Sequence, residues 1–496
     1  MLFWFCSAVL AAAILAGGGT HSGFYGDVFL QLLSIPLLAA VIWPAFNKED
    51  PSRKRAQLAL GLCGLIVFIG VFQLLPFSAH FWSAGAGLFD GKIKETAAGS
   101  FAFATPSLTP EATWAAVASL LVPLSIFGAA LQLDRSQRMR LCFLVLGLGA
   151  ASLLLGFLQM AQGPESPLRF YDYTNPTEPV GFFANRNHFA AYLNVTLVLA
   201  GVWFAMTAEQ ALERGVLESR SLLWFAAAVA FLVADVAGLA MARSRAGLLL
   251  AMAALLGTGL MAVKQWGRRL PSEGRRSIGS RRAFFAVALF AVIFAAQFGL
   301  GSILSRFQGD SLEDLRIALN RTTFDAVLKA LPTGTGLGSF VPVYATVEKE
   351  EDAFAGYANR AHDDLAEILL ETGLIGGGLL LAFFAWFGRK AYLAWAQTVT
   401  DESRSQLMLE RAATLILALL LLHSLVDYPL RTTALGSIFA FFCAVLAAPA
   451  QPSHKGGSAG ERQVRRQRSH PSYGISTPPA ERWGSNAEWP DEWLQK

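Results

Sequence analysis

His362 is followed directly by Asp363 and Asp364, with Glu367 and Glu371 further on at helical spacing. An imidazole exchanges its proton near neutral pH, so a histidine beside two carboxylates is a candidate general base. Glu367 and Glu371 are i,i+4 neighbours and share one helical face. A metal site built from His362, Asp363 and Asp364 is disfavoured, because adjacent side chains rarely converge on one ion and no second histidine stands at ligand spacing. Three further stretches carry charge into apolar surroundings. Asn185, Arg186, Asn187 and His188 open an apolar run, and four polar side chains exceed what one helix cap and its interfacial anchors need. Arg243 and Arg245 flank Ser244 in a very short turn. An arginine at membrane depth costs about 2.5–3.5 kcal/mol on insertion scales, and its planar fork matches phosphate oxygens in pairs. The plainer reading is that one of these arginines snorkels and the other pairs with a carboxylate such as Asp235. Arg316 and Arg321 precede Pro332. Finally, His423 and Asp427 stand at i,i+4, a spacing at which they bond to each other or across helices in a structural role.

The chain that must position these groups is mostly apolar: of 496 residues, 54% are hydrophobic and 15% charged, where a soluble protein would carry about a quarter charged. Apolar runs near the length needed to cross about 30 Å of hydrocarbon recur along it. The reading is an all-α polytopic membrane protein of about twelve spans, near 2–18, 28–46, 57–75, 113–133, 140–161, 187–207, 221–241, 245–263, 283–304, 365–387, 408–426 and 433–449. The first run lacks a basic lead, so it is expected to remain as a span rather than be cleaved. Lys and Arg gather in loops after even-numbered spans: Lys48, Arg53, Lys54 and Arg55, then Arg135, Arg138 and Arg140, then a maximum between Lys264 and Arg282. By the positive-inside rule both termini are cytoplasmic, and 76–112, 162–186 and 305–364 face the other side. Basic residues confined to short loops and a tail give no support for nucleic-acid binding. Cys6, Cys63, Cys142 and Cys443 lie in apolar runs without ligand spacing and read as packing residues.

The chain thus divides into a transmembrane domain over 1–450 and a disordered cytoplasmic tail over 451–496, rich in Ser, Pro, Gly and Arg. Between the ninth and tenth spans runs the long outer loop. Within it Asp310 or Ser311 can cap an amphipathic helix reaching Lys329, suited to the membrane surface. Pro332–Phe340 is glycine-rich, but it has no preceding strand and is not a nucleotide fingerprint; a tight loop is the expectation.

Several of these stretches together resemble one family. Gly181–Tyr192 resembles an Asn-x-Asn-containing motif, Arg245-Ala246-Gly247-Leu248-Leu249 an Arg-x-x-x-Leu element, and His362 with Gly373-Leu374-Ile375-Gly376 a His…Gly-x-x-Gly element behind a long outer loop. Arg321, ahead of Pro332, sits as that family's loop arginine does. Region 181–376 is thereby similar to the bacterial O-antigen ligase and O-antigen polymerase (Wzy-type) superfamily, with Asp363 departing from the amide or Ser usual there. The resemblance implies a GT-C-like glycosyltransferase of the bacterial inner membrane. Its donor would be a glycan on undecaprenyl pyrophosphate at the periplasmic face. Its acceptor would be a hydroxyl of lipid A core, of another lipid-linked repeat or of a protein. His362 would be the general base, and Arg245, Arg321 and Arg186 would bind the pyrophosphate. Asn185, Asn187, His188, Arg243 and Asp363 would support them. No metal or cofactor is implied, since the activated bond arrives preformed, and membrane lipids and the polyprenyl tail would be met by the apolar flanks. The competing reading is a polytopic transporter or lipid flippase for polysaccharide precursors, which calls for ionisable groups near the midplane, where only Asp235 looks deep.

Overall fold

The structure is a computed structural model that describes residues 1–20, 25–47, 49–50, 53–78, 103–172, 174–213, 219–266, 311–348, 358–398 and 404–448. Those residues are overwhelmingly helical. In chain order the helices are α1 (Leu2–Ala16), α2 (Tyr25–Phe46), α3 (Arg53–Leu74), α4 (Pro110–Ser119), α5 (Leu121–Gln132), α6 (Arg135–Gln162), α7 (Arg186–Glu213), α8 (Ser219–Met241), α9 (Arg245–Trp266), α10 (Ser311–Ala330), α11 (Phe340–Val347), α12 (Asp364–Ala396), α13 (Arg404–His423) and α14 (Thr433–Ala447). A short 3₁₀ turn, Pro429–Arg431, precedes α14, and a two-residue antiparallel pair joins Phe77–Ser78 to Phe103–Ala104.

Among the described residues, nine helices are long and apolar enough to cross a membrane: α2, α3, α4 with α5, α6, α7, α8, α9, α12 and α13. α1 and α14 are apolar but shorter. The span expected at 283–304 and the tail expected at 451–496 lie outside the described residues. Local chemistry sets several helix starts. Asp134 and Gln137 form a reciprocal capping box at α6, and Pro110 opens α4 at the position where a missing N–H costs nothing.

Helix α7 is the centre of the bundle, with 89% of its span buried. Small residues let its neighbours come close. A Cβ on Gly149 of α6 would lie 2.3 Å from Thr196 Cγ2 of α7, so only glycine permits that approach. Backbone bonds tie one end of the bundle together: Ala184 N donates to Gly18 O and Ala434 N to Gly17 O, while Thr433 Oγ1 donates to Asp27 Oδ1 at 2.8 Å. At the other end Lys264 Nζ donates to Trp395 O, and Arg411 closes the end of α12 through Ala394 O and Gln397 O.

Helix α10 matches the expectation of a helix reaching Lys329. Its apolar positions split. Leu319 and Val327 are buried with Phe340, Val343 and Tyr344 of α11, while Phe324 and Leu328 are exposed. The helix therefore packs on protein along one side and leaves Phe324 and Leu328 on the other side, among the exposed Arg321, Asp325 and Lys329.

The expected tight loop at Pro332–Phe340 has a specific partner. Helix α12 is broken at Gly373, whose φ is +58°. The break frees backbone groups that hydrocarbon cannot satisfy. The loop supplies them: Thr335 N donates to Leu370 O and Gly336 N to Glu371 O, both at 2.9 Å, and Leu374 N donates to Pro332 O at 2.9 Å. Gln73 of α3 adds its Nε2, 2.8 Å from Glu371 O, and accepts from Leu337 N. Two glycines face each other here. A Cβ on Gly373 would lie 2.3 Å from Pro332 O, and one on Gly334 would lie 2.6 Å from Glu371 O. Positive φ alone costs a larger residue about 1–3 kcal/mol. Gly373→Ala and Gly334→Ala are therefore expected to lower the thermal unfolding midpoint of the detergent-solubilised chain. Gly378→Ala, in helical backbone with nothing within 4 Å of the added carbon, should not lower it.

Candidate active site at one end of the bundle

Groups from three chain segments meet at the carboxylate of Asp427. His362 Nδ1 is 3.2 Å from Oδ1, Asn187 Nδ2 donates to Oδ2 at 2.7 Å, and Tyr428 N donates to Oδ1 at 2.9 Å. His188 Nε2 stands 4.0 Å from Oδ1. Asp427 is 1% exposed and the His362 side chain 21%, so the acid is buried while the imidazole reaches the surface. An ionised carboxylate only accepts, so Nδ1 is the donor in this contact, and in the neutral imidazole with that tautomer Nε2 is the nitrogen that can accept. His362 itself has φ +54°, a left-handed conformation that a non-glycine residue adopts only when its surroundings hold it.

Tyr428 fills the space between the two histidines. The His188 and His362 rings meet its ring edge-on, with centroids 4.9 and 4.8 Å away. Its hydroxyl accepts from Asn359 Nδ2 at 3.4 Å and is also bonded by the Asn185 side chain. Burial, then the neighbouring Asp427 charge, pushes the phenol up to about 12, so it stays neutral.

Beneath this pair lies an ionic layer on one face of α12. Asp364, Glu367 and Glu371 are all buried there, which extends the expected pairing of Glu367 and Glu371 by one turn. Arg431 reaches all three, with N···O distances of 3.5 Å to Asp364, 3.5 Å to Glu367 and 3.0 Å to Glu371. Arg360 Nη1 meets Glu367 Oε1 at 2.9 Å, and Glu367 Oε2 accepts from Ala361 N at 3.0 Å.

The residues singled out in the sequence separate into groups. Asn187, His188 and His362 meet at Asp427 and Tyr428, and Asn185 Oδ1 caps α7 by accepting from Asn187 N at 2.8 Å. Arg186 bonds Glu178 through Nη1, and its backbone N donates to Asn175 Oδ1. Arg245 opens α9 and is half-buried, Arg243 is exposed at φ +51°, and Arg321 is exposed on α10. Asp235 does not pair with either turn arginine; it is wholly buried and accepts from Thr196 Oγ1 at 3.1 Å. Asp363 turns away from His362 to cap α12, accepting from Leu365 N at 2.9 Å and Ala366 N at 3.0 Å. Burial raises the Asp363 carboxyl, with those two N–H bonds opposing. His362, Asp363 and Asp364 therefore serve three different partners rather than one ion. The sequence points to Asp427 only as the i+4 neighbour of His423, whose backbone oxygen does accept from Asp427 N. Nothing local marks Tyr428 or Arg431. The one available signal is that two of the site's residues, Asp427 and Arg431, are charged groups within a few positions of a span end.

A multi-pass helical protein with a histidine–carboxylate pair and arginines at the ends of its spans is the class these features define. Residues 228–381 match the family described as O-antigen ligase. The match supports the O-antigen ligase and polymerase superfamily and glycan transfer of that general type. It includes Arg243, Arg245, Arg321, His362 and Asp363 and ends before Asp427. None of the curated proteins compared matches the chain.

Capping explains why an amide or Ser is also suited to position 363, since each offers an oxygen to the same N–H groups. Asp363→Asn is expected to leave thermal unfolding unchanged. Asp363→Ala should cost about 1 kcal/mol, as loss of an N-cap does, measured by denaturation of the purified chain.

Proposed function

We propose that the chain transfers a glycan from a polyprenyl pyrophosphate carrier to an acceptor hydroxyl at the non-cytoplasmic face of the inner membrane. The observation that carries this reading is the His362–Asp427 pair, with Asn187 holding the second carboxylate oxygen. Asp427 fixes the tautomer and orientation of the imidazole and stabilises its protonated form, the role a buried aspartate plays beside a catalytic histidine. His362 Nε2 takes the proton of the acceptor hydroxyl as its oxygen bonds to the anomeric carbon. The C1–O bond to pyrophosphate breaks on the opposite side, and the configuration inverts. The pyrophosphate departs with the bonding electrons and gains charge, which guanidinium groups stabilise.

Arg245 and Arg321 are the groups assigned to the leaving pyrophosphate; both fall in the region that matches the family. Arg186 joins them with its charge already balanced by Glu178, which suits it to orienting the donor more than to neutralising it. Arg243 supports the same edge. Asn185, Asn187 and His188 hold Asp427 and Tyr428, and Asp363 holds the helix start. The positive-inside distribution supports the sidedness, and the long apolar helices supply surface for the polyprenyl chain.

The test is transfer by full-length protein in membranes supplied with lipid-linked glycan, with products separated on glycan gels. His362→Ala is expected to abolish product while the protein still inserts. Asp427→Asn is expected to lower the rate by about 10²–10⁴-fold, the usual weight of a positioned general base. Normal product from both variants would overturn the reading. The acceptor follows from a deletion strain. Accumulated lipid-linked chains with bare lipid A core mark a ligase, and single repeats on the acceptor mark a polymerase.

A further inference from the structure

The acid face of α12 touches both chain segments that carry the His362–Asp427 pair. Glu367 takes Arg360 and the Ala361 N–H, the two residues immediately before His362. Asp364 takes Ser424 Oγ at 2.8 Å and Leu430 N at 3.2 Å, residues that precede and follow Asp427 in the chain, and its own N–H donates to Ser424 O. Arg431 spans all three carboxylates. Burying several charges has a desolvation cost that mutual attraction roughly offsets. Such a network adds little to net stability, and in some proteins its role is to fix one conformation. Its members here are tied to the chain on both sides of the reacting pair, and His362 sits between them in a left-handed conformation that needs holding.

We infer that Glu367, held by Arg360, and Asp364, joined to it by Arg431, are positioning residues that set the His362–Asp427 alignment. Resting on the general-base reading above, the inference adds that the ionic layer acts on rate only through that pair. A misplacement of about 1 Å at a reacting group can lower a rate by about 10²-fold, so loosening one arm of the clamp should cost about tenfold.

The experiment compares Arg360→Gln and Glu367→Gln in two backgrounds, native and Asp427→Asn, with the full-length protein in membranes, lipid-linked glycan as donor and initial rates of transfer. In the native background each substitution is expected to lower kcat about tenfold and leave the donor KM within about twofold. In the Asp427→Asn background, where the alignment is already lost, each should cost less than about twofold, the non-additivity of residues that act as a unit. Arg360 is the more exposed partner, with a side chain 19% exposed against 0% for Glu367. If Glu367→Gln fails to accumulate, Arg360→Gln therefore decides the matter alone. An equal loss in both backgrounds, a change confined to KM, or native kcat in Arg360→Gln would overturn the inference. Failure of the underlying reading shows separately, as normal transfer by His362→Ala.

Discussion

The site depends on one buried carboxylate having enough donors. Asp427 lies almost wholly inside the bundle, where an ionised group without partners would be too costly to keep. An amide from α7, a backbone N–H from its own turn and an imidazole from the segment before α12 all turn toward it. Each donor comes from a different part of the chain, so satisfying one acid fixes the relative position of three. The orientation of His362 follows, since its Nδ1 is engaged by Asp427. The tyrosine wedged between His188 and His362 prevents the two rings from approaching each other.

The same requirement, that buried polar groups find partners, explains the broken helix. α12 begins at the site and stops being helical at Gly373. Its stranded carbonyls are met by the glycine-rich loop and by Gln73. The loop thereby joins α10 and α11 to the bundle. Glu371 belongs to both devices: its backbone oxygen accepts from Gly336 and Gln73, and its side chain meets Arg431. The loop dock and the ionic layer are thus one continuous support beneath the His362–Asp427 pair.

Hydropathy made the bundle legible, because a membrane demands long apolar helices and the chain meets that demand openly. A helix start was legible where a cap is a local signal, as near Arg186, whereas Asp363 reads as a neighbour of His362 and its cap bonds to Leu365 N and Ala366 N show only in the fold. His362, Asn187 and His188 could be singled out because polar residues at the mouth of an apolar run have few structural reasons to be there. Asp427 could not be matched to His362, since 65 positions separate them and His423 offers a nearer partner at helical spacing. Arg431 looked like any cation outside a span, and its three carboxylate partners lie about sixty positions away, as Glu371 does. The break at Gly373 was hidden inside an apolar run, where a glycine more often means close helix packing. The pairing of Asp235 with a turn arginine failed for a related reason: a neighbouring helix offered Thr196, closer and already buried.

The claim that His362 and Asp427 form the reacting pair is most directly tested by a structure of the full-length protein bound to a non-transferable polyprenyl pyrophosphate glycan and an acceptor sugar. The expected result has the acceptor hydroxyl within about 3 Å of His362 Nε2, the distance a general base requires, with Nδ1 still on Asp427 and the pyrophosphate against Arg245 and Arg321. A donor bound with its anomeric carbon out of reach of His362, or at the end of the bundle marked by Lys264 and Arg411, would contradict it.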